Sequence, residues 1–186
     1  ARKNANNTRV FSFGLGDGVD KQLIKGIAKK GHGKAEFVLQ GSEAEMGTVV
    51  LKQLKRALQP AYTNASCEWF NISSHLQSPS VLPPLFNRER YLVYSMIPAS
   101  AVQNVATQQS VELSCLHPNG SKLKFSVPLD YGKVEQGNVI HTLAARAVIE
   151  ELTDGDLRSL HGDTAAEKMA TDLALTYSLV SNYTSF

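Results

Sequence analysis

The sequence predicts an α/β protein that opens with a parallel βαβα unit, continues with antiparallel strands and closes with two helices. Residues 10–38 hold an apolar run, a glycine-rich turn and a segment with helical spacing of apolar residues. Residues 111–129 hold two alternating runs around Asn119-Gly120, which is a strong hairpin signal. With 186 residues, 42% of them hydrophobic, the chain can bury a core of ordinary globular composition.

The first strand and helix follow from residues 10–33. Val10–Phe13 forms an apolar run of the kind found in strands that are covered on both faces. Asp17 is the predicted N-cap of the following helix. The apolar residues of that helix recur at helical spacing: Val19, Leu23, Ile27 and Ala28. Gly31-His32-Gly33 ends the helix, where a left-handed C-cap is expected.

A second strand and helix complete the first unit. Ala35–Leu39 is the predicted strand, and Ser42 and Glu45 have the spacing of a capping box. Pro60 stops the helix. Its predicted apolar stripe is Met46, Val49, Val50, Leu54, Ala57 and Leu58. The βαβα order assigns residues 1–60 to a parallel, doubly wound sheet.

Residues 61–137 change to the alternation typical of antiparallel strands. Ala65, Cys67 and Trp69 alternate with polar residues, and a loop is predicted over Ser73–Pro84. The remaining strands are predicted at Tyr91–Ile97, Val111–His117 and Ser121–Leu129. This region is expected to form a small antiparallel sandwich.

Residues 138–186 are predicted to form two helices separated by a loop at Thr153–Gly162. Asn138 caps the first, and Thr164 and Glu167 form a capping box for the second. The first apolar face is Ile140, Leu143, Ala144, Ala147, Val148 and Leu152, and the second includes Met169, Leu173 and Val180. The polar start and the end without a polar tail suggest a segment of a longer protein.

The motif Gly14-x-Gly16-x-Gly18 raises the hypothesis of a dinucleotide site. That motif requires a third glycine where this chain has Val19, and an acidic residue at the far end of the next strand. Glu36 falls near the start of its strand instead. A tight turn is therefore the favoured interpretation of the three glycines.

Other side chains give no pattern of an enzyme or metal site. The five histidines lack a second histidine or a carboxylate at metal-binding spacing: His32, His75, His117, His141 and His161. No G-x-S-x-G elbow occurs, so we predict a non-enzyme without catalytic, cofactor-binding or metal-ligating residues. Cys67 and Cys115 are not in a C-x-x-C motif and are predicted to be buried free thiols. A disulfide between them is the alternative, and it could form only in an oxidising compartment.

The charges and the possible glycosylation sites leave alternatives for the partner and the compartment of the protein. The net charge of +2 gives no argument for nucleic acid or membrane partners, and no apolar run approaches the ~18 residues of a membrane span. Lys52, Lys55 and Arg56 are predicted to be a solvated helix face, with contact to an acidic partner or phosphate as the alternative. Five Asn-x-Ser/Thr motifs would be glycan acceptors if the chain were secreted: Asn6, Asn64, Asn71, Asn119 and Asn182.

Three stretches carry a family resemblance. VFSFGLGDGVDKQLIKGIAKKGHGKAEFV, followed by LKQLKRALQPA, resembles the C-terminal half of a von Willebrand factor A domain. IHTLAAR at 140–146 and LVSNYTSF at 179–186 resemble segments of the von Willebrand factor A domain-containing protein 5A-like family. The vault poly(ADP-ribose) polymerase is related to this family and resembles the chain in the same way. The inter-α-trypsin inhibitor heavy chains share the general layout more distantly. The resemblance implies three parts: the A-domain half at 1–60, an antiparallel region at 61–137 and a helical segment at 138–186.

The resemblance implies a non-catalytic protein-interaction module. In the family, a divalent cation is held by a D-x-S-x-S loop, a Thr and an Asp, all upstream of the final strands. No D-x-S-x-S occurs here, and Thr153-Asp154-Gly155-Asp156 follows a predicted helix, so no metal ligand is assigned. Mg²⁺ is expected only in a complete A domain. We expect a protein partner and a cytoplasmic location. The alternatives are part of a vault-type ADP-ribosyltransferase or of a secreted, matrix-binding heavy-chain relative.

Overall fold

The computed structural model describes residues 8–41, 43–69, 72, 75–87, 90–102 and 108–184. The predicted α/β class is confirmed. The strands are β1 (Ser12–Leu15), β2 (Ala35–Val38), β3 (Thr63–Trp69), β4 (Leu76–Ser78), β5 (Tyr94–Met96), β6 (Gln108–Leu116) and β7 (Lys122–Asp130). The helices are α1 (Lys21–Lys30), α2 (Met46–Ala57), α3 (Ala99–Val102), α4 (Val139–Asp154), α5 (Asp156–His161) and α6 (Asp163–Thr176). Among these described helices, none has both the length and the apolar content of a transmembrane span.

The chain divides into two compact units, Ala1–Ala61 and Tyr62–Phe186. The first contains the βαβα elements, and the second contains the antiparallel strands and the remaining helices. In the second unit, α4 packs against β4 and β5, so strands and helices share one unit. The division into domains at 60/61 and 137/138 stays a prediction.

In the first unit, β1 and β2 pair in parallel, with Ser12 opposite Ala35 and Leu15 opposite Val38. The prediction of Asp17 as the N-cap of α1 is wrong. Asp20 caps the helix, and its Oδ1 accepts hydrogen bonds from the backbone N–H groups of Gln22 (2.9 Å) and Leu23 (3.0 Å). Only a side chain two or three residues before those amides can reach them, so the helix begins three residues later than predicted.

The C-terminus of α1 has the predicted left-handed residue, but it is a histidine rather than a glycine. His32 has φ 52°, its N–H donates to the Lys29 carbonyl, and the Gly33 N–H donates to the Ala28 carbonyl. This is the bonding pattern of a Schellman motif. Gly33 is required for another reason, because an added Cβ would lie 2.0 Å from the Val10 carbonyl oxygen. Glycine here permits the helix end to pack against the chain entering β1.

Helix α2 has a different solvent exposure from the one predicted. It begins at Met46 after a 3₁₀ turn at Glu43–Glu45. Glu45 occupies the N-cap position without a side-chain capping bond, and Ser42 of the predicted capping box lies outside the described residues. The buried residue of this helix is Gln53, whose Nε2 donates to the Lys34 carbonyl at 2.8 Å. Several residues of the predicted stripe and a neighbour are exposed: Val50, Leu51, Leu54 and Leu58.

The second unit has a three-stranded antiparallel sheet in the order β3-β6-β7. The predicted hairpin is confirmed: β6 and β7 pair with Val111 opposite Val127 and Leu113 opposite Phe125. The predicted alternation of β3 is also confirmed, with every second side chain exposed. Strand β7 lies at the edge of the sheet, and both Phe125 and Val127 are about half exposed.

A separate two-stranded sheet pairs β4 with β5, with Gln77 opposite Ser95. Strand β4 lies within Ser73–Pro84, so the prediction of a continuous loop there is wrong. Its three residues are too few to show an alternating pattern, and its pairing with β5 and packing on α4 are long-range contacts.

Helices α4, α5 and α6 form the best-buried core of the chain. Its buried members are Val148, Ile149, Leu152, Leu157, Ala166, Ala170 and Ala174. The predicted face of α4 is partly wrong, because Ile140 and Leu143 are exposed while Ala145 and Ile149 are buried. The buried face of α6 is an alanine stripe at spacing i, i+4, i+8, with Met169 and Leu173 packed beside it. Val180 lies beyond α6 and is exposed.

Three predictions in this region, one loop and two helix caps, differ from the structure in whole or in part. The loop predicted at Thr153–Gly162 contains α5, because Leu157 is buried in the helical core. Asn138 holds the N-cap position of α4 but makes no side-chain capping bond. Thr164 does not cap α6, which begins at Asp163 with Gly162 as the N-cap residue. Gly162 has φ 82° and ψ 158°, a conformation that favours glycine, so chain geometry rather than a capping side chain sets this helix start.

Candidate functional site

The glycine-rich turn after β1 is explained by local packing. Gly16 has φ 79°, and its N–H donates to the Val38 carbonyl at 2.8 Å. At Gly14, an added Cβ would lie 2.5 Å from the Phe37 ring. These two glycines therefore connect β1 to α1 and admit an aromatic ring, which are roles that need no bound phosphate.

Glu36 belongs to an intramolecular ion-pair cluster. Arg56 donates a short hydrogen bond to its Oε1, and the Lys52 Nζ lies 3.1 Å from the same oxygen. Burial alone would raise the pKa of Glu36, but the hydrogen bonds and positive charges of Arg56 and Lys52 outweigh it and lower that pKa. The prediction of a solvated face is wrong for Arg56, whose side chain is mostly buried against Glu36, whereas Lys52 is exposed as well as paired. Lys55 is exposed.

Arg9 binds the C-terminal end of α2, the helix that carries Lys52 and Arg56. Its guanidinium donates to the carbonyl oxygens of Ala57 (3.0 Å), Gln59 (3.4 Å) and Arg56 (3.5 Å). Cations favour the C-terminal end of a helix because the backbone carbonyls there carry partial negative charge. Basic residues on and beside α2 thus stabilise the first unit.

The five histidines have separate surroundings and do not form a shared site. The His32 Nδ1 is buried without a hydrogen-bond partner among the described residues. His75 lies beside Trp69 (ring centroids 5.7 Å apart), and His117 packs edge-on against Tyr62 (5.4 Å). The His141 Nδ1 is 2.9 Å from the Gly137 carbonyl, and His161 is an exposed residue at the end of α5.

Thr153-Asp154-Gly155-Asp156 forms a helix junction. The Thr153 hydroxyl donates to the Ile149 carbonyl at 2.8 Å, and the Thr153 carbonyl accepts from Arg158 at 2.9 Å. Asp154 ends α4 and Asp156 begins α5. The hydroxyl and carbonyl of Thr153 are therefore engaged within the helical core. Over the described ranges as a whole, no group of three or more His, Cys, Asp or Glu side chains could hold a metal ion.

Both cysteines are free thiols, as predicted. Cys115 is buried and Cys67 is half-buried. Burial raises the pKa of both thiols, which favours their protonated form. Tyr91 is near both cysteines, and burial together with these neighbours raises its pKa as well. Its hydroxyl donates to the Pro83 carbonyl at 3.1 Å.

Three of the Asn-x-Ser/Thr asparagines are described, and all three are exposed: Asn64, Asn119 and Asn182. Asn64 has φ 51° at an irregularity in the pairing of β3 with β6. In the β6–β7 turn, the Asn119 Oδ1 accepts hydrogen bonds from the Ser121 N–H and hydroxyl. Asn6 and Asn71 lie outside the described residues.

The exposed apolar side chains were not predicted as a site. They lie in several places, on α1 and α2 in the first unit and on β7 and the start of α4 in the second. Helical spacing shows that α2 has an apolar stripe, but only the structure shows that Gln53 takes the buried position. Contiguous exposed apolar surface is typical of sites that contact other protein.

Comparison with known proteins gives the family. No family model matches the chain. A von Willebrand factor A domain-containing protein of Dictyostelium discoideum is 36% identical over 189 residues, which cover 100% of this chain and 9% of that relative. Another from the same organism is 31% identical over 186 residues, covering 98% of this chain and 21% of the relative. Mouse (Mus musculus) protein mono-ADP-ribosyltransferase PARP4 is 26% identical over 197 residues, covering 100% and 9%.

The predicted family is therefore confirmed: the chain is homologous, over nearly its whole length, to von Willebrand factor A domain-containing proteins. The chain spans between 9% and 21% of the length of the relatives named here.

Proposed function

We propose that this chain is a non-catalytic protein-interaction segment of an A-domain protein whose metal-ion-dependent adhesion site is formed by residues outside it. The observation that carries the proposal is homology to A-domain-containing proteins along nearly the whole chain. In such a protein, Mg²⁺ would bind a partner's carboxylate through oxygen ligands and an open coordination position. This segment would supply scaffold and contact surface, and we place the protein in the cytoplasm.

The geometry of the candidate residues supports a scaffold role. Glu36 forms ion pairs with Lys52 and Arg56, and Thr153 is held by bonds within the helical core. The glycines of the β1–α1 turn fit against Phe37 and Val38. These groups thus have structural roles, while apolar side chains on α2 and β7 face solvent.

Titration of the 186-residue chain with Mg²⁺ by isothermal calorimetry tests this proposal. We expect no specific binding. A saturable site with micromolar affinity would contradict the placement of the ligands outside the chain. In that case, the double variant Asp154→Asn/Asp156→Asn would show whether the α4–α5 junction supplies the ligands.

A second candidate function is a non-catalytic part of an ADP-ribosyltransferase. The similarity to mouse PARP4, at 26% identity over the full chain, favours it. A catalytic domain elsewhere in the full-length reading frame would identify this case. Incubation of the chain with labelled NAD⁺ should give no transfer to protein, and labelling that depends on the chain would overturn the non-catalytic assignment.

A third candidate is a secreted relative of the matrix-binding heavy chains. The exposure of Asn64 and Asn119 supports it, because glycan acceptors must be accessible. Glycopeptide mass spectrometry on protein from its native source distinguishes this case. Glycans at either asparagine would favour secretion, and unmodified asparagines would favour the cytoplasmic proposal.

A further inference from the structure

Strand β7 forms one edge of the three-stranded sheet and is open to solvent. Within the part of the chain that the structure describes, it pairs with β6 and with no other strand. All of its nine residues except Leu123 and Leu129 are exposed, and Phe125 and Val127 are 51% and 52% exposed. A long, exposed edge with apolar side chains is a surface on which another strand can pair.

The backbone of β7 presents alternate residues to the free edge. The His117 N–H donates to the Ser121 carbonyl at 2.8 Å, which makes these two residues a hydrogen-bonded pair of the β6–β7 ladder. Bonded and non-bonded pairs alternate along an antiparallel ladder, so the even-numbered residues of β7 point their backbone groups outward. Pro128 agrees with this assignment, because it falls at an outward position and has no N–H to give to β6. Ser126, at the middle of the strand, therefore presents both of its backbone groups to the edge.

The sequence of β7, KLKFSVPLD, is complementary to itself when it is read in both directions from Ser126. The residues at equal distances from this centre are Phe125 and Val127, Lys124 and Pro128, Leu123 and Leu129, and Lys122 and Asp130. Two of these pairs join apolar residues, one joins opposite charges, and none joins like charges. An antiparallel pair of two such strands, centred on Ser126, would place the members of each pair opposite one another.

That arrangement would also satisfy most of the outward backbone groups. The two Ser126 residues would exchange N–H···O=C bonds, and so would Lys122 and Asp130 of different copies. Phe125 of one copy and Val127 of the other would form non-hydrogen-bonded pairs, in which side chains approach most closely. These are the two side chains of β7 that are apolar and half exposed in the single chain.

The charges at the two ends of β7 are accessible for pairing between copies. Among the described residues, no carboxylate forms an ion pair with Lys122. The Asp130 Oδ1 accepts from the Gly132 N–H at 2.9 Å, and its Oδ2 lies 3.6 Å from the Nζ of the exposed Lys133. The Asp130 side chain is 36% exposed, so a second cation can reach it. A register centred on Lys124 would instead place two lysines opposite each other, which is unfavourable.

We propose that the β7 edge joins a second copy of this chain by antiparallel pairing about Ser126, with Lys122 opposite Asp130 and Phe125 opposite Val127. This inference rests on the proposed interaction function and names one partner. The opposite edge of the sheet, β3, is a poor template, because Asn64 has φ 51° at an irregularity in the strand. The assembly would therefore close as a dimer with a two-fold axis instead of growing into a larger array.

Sedimentation velocity of the 186-residue chain over a range of concentrations tests for the dimer. One pair of edge strands makes an interface below about 1,200 Å², so we expect a weak dimer with a Kd of about 10–100 µM. Ser126→Pro should weaken it at least about tenfold, because it removes the central donor of both copies and none of the bonds to β6. Ser126→Ala keeps that donor and should dimerise within about twofold of the wild type.

Two outcomes of this experiment would overturn the proposal. A chain that is monomeric throughout would leave the edge to a strand of a different protein. A dimer that Ser126→Pro does not weaken would have its interface elsewhere. Thermal melts followed by the fluorescence of Trp69, which lies opposite Val111 in the same sheet, verify that each variant is folded.

A charge exchange tests the register without proline. Lys122→Glu places two acids opposite each other in the dimer and Asp130→Lys places two lysines opposite each other, so each should weaken the dimer about tenfold. An equal mixture of these two single variants should dimerise within about threefold of the wild type, because every pair across the interface then joins opposite charges. Absence of rescue on mixing would contradict the proposed register.

The full-length protein distinguishes a second copy from a strand outside the chain. We expect it to dimerise with the same sensitivity to Ser126→Pro. A full-length protein that stays monomeric at concentrations where the 186-residue chain dimerises would show that another of its own strands takes the β7 edge, and would overturn the second copy as the occupant. None of these outcomes affects the Mg²⁺ and NAD⁺ experiments, so failure here is distinct from failure of the proposed function.

Discussion

Two helices of similar length, α2 in the first unit and α6 in the second, use their apolar residues in opposite ways. Helix α6 buries Ala166, Ala170 and Ala174 to 1% exposure or less. Helix α2 leaves Val50, Leu51, Leu54 and Leu58 between 45% and 75% exposed and buries Gln53 instead. An apolar stripe therefore predicts a helix but does not show that a partner surface is present. The α4–α6 core is closed by residues of its own unit, although Ile140, Leu143 and Leu175 of the same helices are exposed. Helix α2 presents apolar surface to solvent.

The largest loss of folding stability is expected for a substitution in the α4–α6 core. Leu152 is fully buried, so Leu152→Ala should destabilise the second unit by about 2–5 kcal/mol through lost burial and a cavity. Trp69, the only tryptophan, lies in that unit, and its fluorescence during urea unfolding reports the change. Leu160→Ala is the control, because Leu160 is 75% exposed and its loss should cost less than about 0.5 kcal/mol. A loss below about 1 kcal/mol for Leu152→Ala would contradict the closed core.

In the first unit, the largest effect is expected from an ion pair rather than from apolar packing. Glu36→Gln should cost about 1–2 kcal/mol by removing the charge that Arg56 and Lys52 bind. Because the pKa of Glu36 is lowered in the folded state, this stabilisation is complete above the unfolded value of about 4.3. It is lost as the pH falls through the lower folded value. Circular dichroism melts of wild type and variant should therefore differ near neutral pH and converge in acid, whereas a constant difference would contradict this assignment.

The two units also share one feature, a non-glycine residue in the left-handed conformation after a helix. His32 follows α1 with φ 52°, and Ser178 follows α6 with φ 53°. Replacing either with glycine should stabilise its own unit by about 0.5–1 kcal/mol, because glycine adopts this conformation without a steric penalty. Local hydrogen exchange would measure each gain. Destabilisation by Ser178→Gly would show that its hydroxyl has a role beyond the helix end.

The smallest change in folding stability is expected for a substitution in the exposed apolar stripe of α2. Leu54→Gln should change stability by less than about 0.5 kcal/mol, since Leu54 is half exposed. The matched change at a partly buried core position, Leu173→Gln beside the alanine stripe of α6, should cost several times more. Thermal melts compare the two. A cost above about 1 kcal/mol for Leu54→Gln would show that α2 packs more tightly than its exposure indicates.

Local signals predicted much of the fold, and long-range contacts determined what they missed. Asn119-Gly120 and its flanking alternation were sufficient to predict the β6–β7 hairpin. Strand β4 and helix α5 were missed because each is short and forms against other elements, with Leu76 and Leu157 packed in the helical core. The cap of α1 was assigned to Asp17 rather than Asp20 because both are acidic residues before the same helix.

The candidate surfaces were harder to predict from the sequence than the fold was. Lys52 and Arg56 could be seen to share a helix, but their pairing with Glu36 depends on how α2 packs on β2. The exposure of Leu23 and Ile27 on α1 required coordinates.

Hydrogen–deuterium exchange of the 186-residue chain, read by mass spectrometry, compares the two units most directly. A self-closed core should protect the amides of α4 and α6 strongly, whereas the exposed faces of the first unit should leave α1 and α2 exchanging much faster. We predict at least two classes of protection, divided near residue 61. Equal protection in both units, together with a single cooperative melt, would show that the first unit is as self-contained as the second and would contradict this account.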